Sequence, residues 1–546
     1  MTATAESPRK PPAKRGGLIR SSVIFAALTL VSRIMGLARD LVITARLGAS
    51  LTIAADAYYA ALAFPNLFRR LFAEGAFAAA FVPTYSRKLA GEGEEAADKL
   101  AADAAATLAA LTVAVSLVAM LAMPWLMYVI NPGYADEPAK FKLTIVLTQI
   151  TMLYLPCMAL AALFSGILNA RGRFIVSGFY PTILNVVMLV IIWPQTEPVA
   201  AAYAASWGVL IAGIGQALFV WWGARKSGAR VRLVRPTLNA EIKGLIRLAV
   251  PAAIANSATQ INLFISGILA SQVAGGRVWM NVADRLYQLP MSLVGVAIGI
   301  ALLPRLSQAL QTEDHADAQT AMDQAMVFSL AFSLPAAAAL MAMPYYLIDG
   351  LFTRGAFVEA DARATAQLLF HYAWGVPAFV LLRILQPAFF ARSDTKTPMR
   401  YSLISVGVNI ALGLALFAVI GIQGLAIATS AAAWITVAQM ALALARRGDY
   451  RPSARAWSKM ARVAVASLAL GGLVFVADMF RAELEAALAA IALPGLGPKE
   501  LGVLLVSAAG VAVYPVLLFA FGGVTPAEAR AALARRRSDP PPAPLP

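Results

Sequence analysis

Apolar runs of about 20 residues, the length that crosses a ~30 Å hydrocarbon core, recur along the whole of this 546-residue chain. They fall near 21–45, 54–83, 104–130, 143–169, 178–195, 199–223, 244–271, 279–304, 321–348, 363–391, 399–419, 423–445, 458–480 and 500–522, with short polar stretches between them. The pattern predicts an all-α polytopic membrane protein with fourteen transmembrane helices. Residues 1–20, basic and proline-containing, and residues 526–546, which end in SDPPPAPLP, read as disordered tails. The first of these lacks an apolar core followed by a small-residue cleavage site, so it does not read as a cleaved signal peptide.

The pattern also repeats. FVPTYS at 81–86 is echoed by LLPRLS at 302–307, LP at 155–156 by VP at 376–377, and AR at 170–171 by AR at 391–392, always 221 residues on. MPWL at 123–126 returns as MPYY at 343–346. Six expected helices separate the copies. An even number gives both halves the same topology, related by an axis along the membrane normal. The expected division is an N-lobe over 21–223 (helices 1–6), a C-lobe over 224–445 (helices 7–12) and an added helix pair over 446–525.

Composition agrees with a membrane protein. The chain is 60% apolar and 14% charged, with a mean hydropathy of +0.71, whereas soluble domains carry about 25% charged residues. A net charge of +16 would suggest nucleic acid in a soluble protein. Here its distribution matters more, and no nucleic-acid partner is read. Of the 45 Lys and Arg, counting those within five residues of a helix end with the adjoining stretch, 31 fall in alternate polar stretches from the N-terminus, 8 in the others and 6 deeper inside expected helices. Cytoplasmic loops are the basic ones, so both termini are expected in the cytoplasm.

Chemistry of the enzymatic kind has little to stand on. The single cysteine, Cys157, excludes a disulfide framework or thiolate metal site. His315 lies in a polar loop and reads as solvated, while His371, on an apolar helix, reads as packing. GARKSG at 223–228 lacks the order of a phosphate loop, and neither GxSxG nor HExxH occurs. The expectation is a protein that is not an enzyme and holds no cofactor. A membrane potential, an ion gradient or the substrate's own gradient would supply the energy.

The informative residues are the six intramembrane arginines. A guanidinium at the bilayer centre costs about 2.5–3.5 kcal/mol on insertion scales, so such residues face a bundle interior or a watery cavity. Arg33, Arg39 and Asp40 lie on the first helix. At 100° per residue Arg33 and Asp40 share a face, with Arg39 about 100° away. This arrangement reads either as an intrahelical charge cluster or as a cavity-facing anion site. The second segment carries Asp56, Pro65, Arg69, Arg70 and Glu74; Pro65 should kink it, and Arg70 and Glu74, four apart, can neutralise each other. Asp284, Arg285 and Pro290 form the second lobe's counterpart, either as a salt bridge between lobes or as part of a site. Arg383, near a helix end, reads as snorkelling. Arginine forks converging on one cavity suit a ligand with several negative oxygens, and a diphosphate fits.

SRIMGLARD (32–40), DAYYAALAFPNLFRRLFAEGAFAAAFVP (56–83) and ADRLYQLP (283–290) followed by LLP closely resemble the MurJ/MviN family, lipid II flippases of the exporter superfamily that includes the MATE transporters. The resemblance runs through essentially all expected helices. It implies a multi-pass protein of the bacterial inner membrane that moves lipid II, the undecaprenyl-diphosphate-linked peptidoglycan precursor, from the cytoplasmic to the periplasmic leaflet by alternating access. Carried onto this chain, it implies substrate-binding roles for Arg33, Arg39, Arg69 and Arg285. Ion-pair or gating roles are expected for Asp40, Asp56, Glu74 and Asp284, of which the family's pattern supports Asp56. It further implies a groove for the polyprenyl tail on helices 13 and 14. Two positions depart from the family pattern: Ala63 stands where a lysine is expected and Gln288 where a glutamate is, removing one charge of each sign. A sodium site cannot be placed, and Asn409 reads as packing. The rival readings are a flippase for another polyprenyl-linked saccharide, a MATE-like exporter, and a non-transporting membrane scaffold held by the same arginines.

Overall fold

Helices account for nearly all of the regular structure, as a chain with no alternating apolar pattern requires. The computed structural model describes residues 15–68, 70, 77–232, 234–311, 315–491 and 496–523. The first half forms α1 (Arg15–Leu47), α2 (Ile53–Phe68), α3 (Phe77–Gly91), α4 (Glu94–Ile130), α5 (Pro138–Met152), α6 (Tyr154–Ala170), α7 (Phe174–Ile192) and α8 (Pro198–Lys226). The second half forms α9 (Ala240–Ala270), α10 (Gly276–Gln311), α11 (His315–Ala342), α12 (Pro344–Phe352), α13 (Glu359–Ala373), α14 (Val376–Phe390), α15 (Lys396–Ile420) and α16 (Gln423–Arg447). The chain continues through α17 (Ala454–Met479), α18 (Arg481–Leu488) and α19 (Pro498–Ala520). Ten stretches of the described residues, taking α5–α6 and α13–α14 as one each, are long and apolar enough to cross a membrane. The other four expected spans fall on α1, α2 with α3, α9 and α10. Helix α1 begins at Arg15, five residues before the expected end of the basic tail.

Proline explains the recurring breaks. The expected span 143–169 is interrupted at Leu153, so that Pro156 falls in the first turn of α6; the span 363–391 is interrupted before Val376, so that Pro377 falls in the first turn of α14. A proline there forfeits no helical hydrogen bond, because first-turn N–H groups have no intrahelical acceptor. The LP and VP repeat is therefore a repeated helix break. The MPWL and MPYY pair is treated differently: α4 continues through Pro124, whereas Pro344 starts α12.

The chain divides into two compact units. The first is built from the stretch ending at Ile43, from Ala60–Met127 and from Phe141–Gln260. The second takes Thr44–Tyr59, Tyr128–Lys140 and the described residues from Ile261 onward. In the first unit Phe81, Tyr85, Leu100, Leu163, Ile167 and Val220 pack together. In the second, Met322, Ile384, Phe389, Met440 and Leu444 do so, while Tyr346, Leu470, Val474 and Val503 bind α12 to α17 and α19. Lipid competes with apolar burial, so close backbone approach at small residues matters more than in water. At Gly424 of α16 an added Cβ would lie 2.6 Å from the backbone of Leu416 on α15.

Each unit also holds a polar knot. Arg171, which caps α6, donates to Tyr85 Oη (2.9 Å), to Asp98 of α4 (3.1 Å) and to the Ser227 carbonyl after α8 (3.1 Å). The other oxygen of Asp98 accepts from the Arg230 amide at 2.6 Å. In the second unit, Arg392 after α14 donates to the Asp449 carbonyl (3.0 Å) and carboxylate (3.1 Å), while Asp323 of α11 accepts from Tyr450 Oη at 2.8 Å.

Candidate functional site

Helix α1 carries the first arginines because nothing in SRIMGLARD breaks a helix; Gly36 is tolerated where the chain passes Asn185 of α7, whose side chain is 3.8 Å from an ideal Cβ at that glycine. Arg39 Nη2 pairs with Asp40, which is almost fully buried, and Arg39 Nη1 donates to Asn185 Oδ1 at 3.1 Å. Asn185 in turn donates to the Ser32 carbonyl at 2.8 Å. One amide thus fixes both the arginine and the backbone one turn before Gly36. Arg33 is exposed on the same helix. Asp40 accepts from its neighbour Arg39, whose long side chain folds back onto the carboxylate.

On α10 of the second unit, Asp284 and Arg285 are both half-buried. Gln288, one turn on, donates to the Asp284 carboxylate. The glutamate expected from the family pattern would place a second negative charge there, and an amide supplies a donor instead. Tyr287, beside them, stacks against Tyr372 (4.9 Å between ring centres) and Phe379 (5.6 Å). Arg69 and Glu74 lie outside the described residues. Arg383 is exposed at the middle of α14, not near a helix end as expected, because the expected span 363–391 is split and α14 is only its second part; Asn409 of α15, buried, donates to Thr429 Oγ1 at 3.4 Å as an inter-helix packing contact.

Asp56 has partners that sequence reasoning missed. It is fully buried, and one carboxylate oxygen accepts from Lys140 Nζ at 3.0 Å and from the Gly275 amide at 2.8 Å. Arg277, also buried, donates to the Ile130 carbonyl at 3.1 Å. Lys140 and Arg277 are two of the 8 Lys and Arg of the sparse stretches, where a solvated position is the ordinary expectation. The nearest sequence signal was their rarity on that side.

A second buried acid, Asp349 at the end of α12, is held by Arg481 (2.8 Å) and Lys499 (3.0 Å). Burial alone would raise its pKa, and the hydrogen bonds from Lys499, Arg481 and Thr353 bring it below the ordinary carboxylate value. This clasp joins α12, α18 and the start of α19.

Comparison with known proteins gives a consistent picture. The family described as "Lipid II flippase MurJ" matches residues 43–490. A Rhizobium tropici protein described as a probable lipid II flippase MurJ is 38% identical over 529 residues, 96% of this chain and 98% of that protein. The lipid II flippase MurJ of Burkholderia cenocepacia is 33% identical over 469 residues, 84% of this chain and 89% of its own length. Among solved structures, a lipid II flippase MurJ in an inward closed conformation superposes with a TM-score of 0.72 at 21% identity, covering 94% of this chain and 99% of that one. An inward-facing multidrug resistance MATE transporter of the MOP superfamily gives 0.65 at 14% identity, covering 78% and 97%. At those identities the solved structures speak for the fold alone.

Proposed function

The chain belongs to the MurJ family of lipid II flippases, and from that premise we propose that it carries the diphosphate of lipid II across the membrane on intramembrane arginines. It is a multi-pass inner-membrane transporter of lipid II and not an enzyme. The similarity to the Rhizobium tropici protein, end to end at 38% identity, is the observation that carries this reading.

Arg33, Arg39, Arg69 and Arg285 are the proposed ligands. Support comes from their chemistry: guanidinium forks match phosphate oxygens in pairs. Arg39 has its orientation set by Asp40 and Asn185. A preorganised arginine loses less side-chain entropy on binding. The headgroup would travel in water while the polyprenyl tail stays in lipid, along α17 and α19. The 31-to-8 bias of Lys and Arg supports cytoplasmic termini and an outward direction of delivery. An inside-negative potential helps an anion leave, by about 2.3 kcal/mol per charge per 100 mV.

The experiment is complementation of a flippase-depleted strain. Arg33→Ala, Arg39→Ala and Arg285→Ala are each expected to fail at normal protein levels; growth supported by all three would overturn the arginine site.

A further inference from the structure

Three helices of the first unit enclose a hollow of about 570 Å³ where α3 ends and α4 and α9 begin. Small-molecule sites span about 300–1,000 Å³. The walls are tied to one another. Tyr85 of α3 and Asp98 of α4 share Arg171. Asn239 caps α9 by accepting from the Ile242 amide at 2.9 Å and donates to Asp103 of α4 at 2.8 Å, while Thr107 of α4 donates to the Thr237 carbonyl at 3.0 Å. Lys88 of α3 closes the third side, paired with Glu241 of α9 and, at 3.6 Å, with Glu92. A space held open in this way costs its occupant little ordering. Two glycines line it, and an ideal Cβ at Gly91 or Gly244 would meet nothing within 4 Å. Leu100, Leu245 and Leu248 supply the apolar part of the lining.

The charges of the hollow are mixed. Lys88 serves the two acids, whereas Arg87, exposed, is paired with no acid among the described residues. Each carboxylate gives Lys88 one oxygen and keeps capacity for a second donor. An anion alone would meet Glu92 and Glu241, and a cation alone would meet Arg87 and Lys88; like charges penalise both. A ligand carrying one carboxylate and one ammonium satisfies the set. We propose that this hollow receives the peptide of the lipid II headgroup, with a peptide carboxylate on Arg87, a side-chain ammonium on Glu92 and Glu241, and small side chains against the three leucines. The inference rests on the transport reading above and deepens it. The peptide of a peptidoglycan precursor is a short chain that ends in a carboxylate and includes a diamino acid, and it is a part of the cargo that stays in water. Arg87, Lys88 and Glu92 fall between the spans expected over 54–83 and 104–130, and Glu241 falls just before the span over 244–271. Both stretches belong to the Lys/Arg-rich set, the side from which the cargo is taken up.

The test titrates the purified full-length protein, by calorimetry, with acetyl-lysyl-alanyl-alanine, whose one ammonium is on the lysine side chain and whose one anion is the C-terminus. Saturable binding is expected. Capping the carboxylate as an amide, or replacing the lysine by norleucine, is each expected to weaken it about tenfold, the scale of one hydrogen bond to a charged group. Arg87→Gln should weaken binding to the same extent and make it indifferent to the amide cap. Gly244→Leu, which adds its side chain into open space and favours a helix, should abolish binding. Phosphoethanolamine, the headgroup of a zwitterionic phospholipid, should not compete at equal concentration. No binding to the unmodified protein, full-strength binding to both variants, or equal competition by phosphoethanolamine would overturn the peptide site while leaving the arginine site standing. If the unmodified protein delivers no lipid II, it is the transport reading that fails, whatever the titration shows.

Discussion

Arg171 and Arg392 stand 221 residues apart, each at the end of a helix whose first turn holds a proline, and each reaches the carbonyl of the loop that follows two helices later, Ser227 in one unit and Asp449 in the other. There the likeness stops. Arg171 pairs with the acid of α4, and the Arg171 and Asp98 side chains are only 7% and 11% exposed. Arg392 takes the loop acid Asp449, with both side chains near a quarter exposed, and leaves the acid of α11, Asp323, to the Tyr450 hydroxyl. One joint is a buried ion pair; its counterpart is a more solvated pair beside a hydroxyl-to-carboxylate hydrogen bond. The repeat preserves the place of the arginine and its backbone acceptor while the acid is free to change partners.

That contrast sets an order of effects on the stability of the purified protein. Arg171→Ala strands Asp98 and should cost about 3 kcal/mol, the scale for breaking a buried pair, seen as the largest drop in thermal unfolding midpoint. Tyr450→Phe removes a donor from Asp323 and should cost about 1.5 kcal/mol, as for a hydrogen bond to a charged group. Arg392→Ala, discounted for solvent screening, should cost about 1 kcal/mol or less. Tyr85→Phe should be smallest, about 0.5 kcal/mol, since Arg171 keeps Asp98 and Ser227. Equal drops for Arg171→Ala and Arg392→Ala would erase the distinction between the knots. A double-mutant cycle with Asp98→Asn would sharpen it, because strong coupling is expected for Arg171 and none for Arg392.

The features legible in the sequence were those written along it. Apolar runs marked the spans, and the LP, VP and AR echoes marked the repeat, but the helix breaks at the prolines and the two arginine knots became visible only in the structure. Features that depend on partners distant in the chain were not legible. Lys140 and Arg277 counted as sparse loop charges because no one-dimensional pattern joins Asp56 to Gly275. Helical geometry set Arg39 about 100° from Asp40, but a long guanidinium can bend to its neighbour, and Asn185, 146 residues away, helps decide where Arg39 points. Helix α18, with its RAELEAAL sequence, was too short and too polar to register among spans of twenty residues.

The central claim is that this chain delivers lipid II by way of its intramembrane arginines. Leaflet-resolved measurement of lipid II tests it most directly, in a flippase-depleted strain supplied with either the unmodified protein or the Arg39→Ala variant. The account predicts that lipid II reaches the outer leaflet with the former and accumulates in the inner leaflet with the latter. Equal delivery by the two proteins, at equal abundance in the membrane, would contradict it.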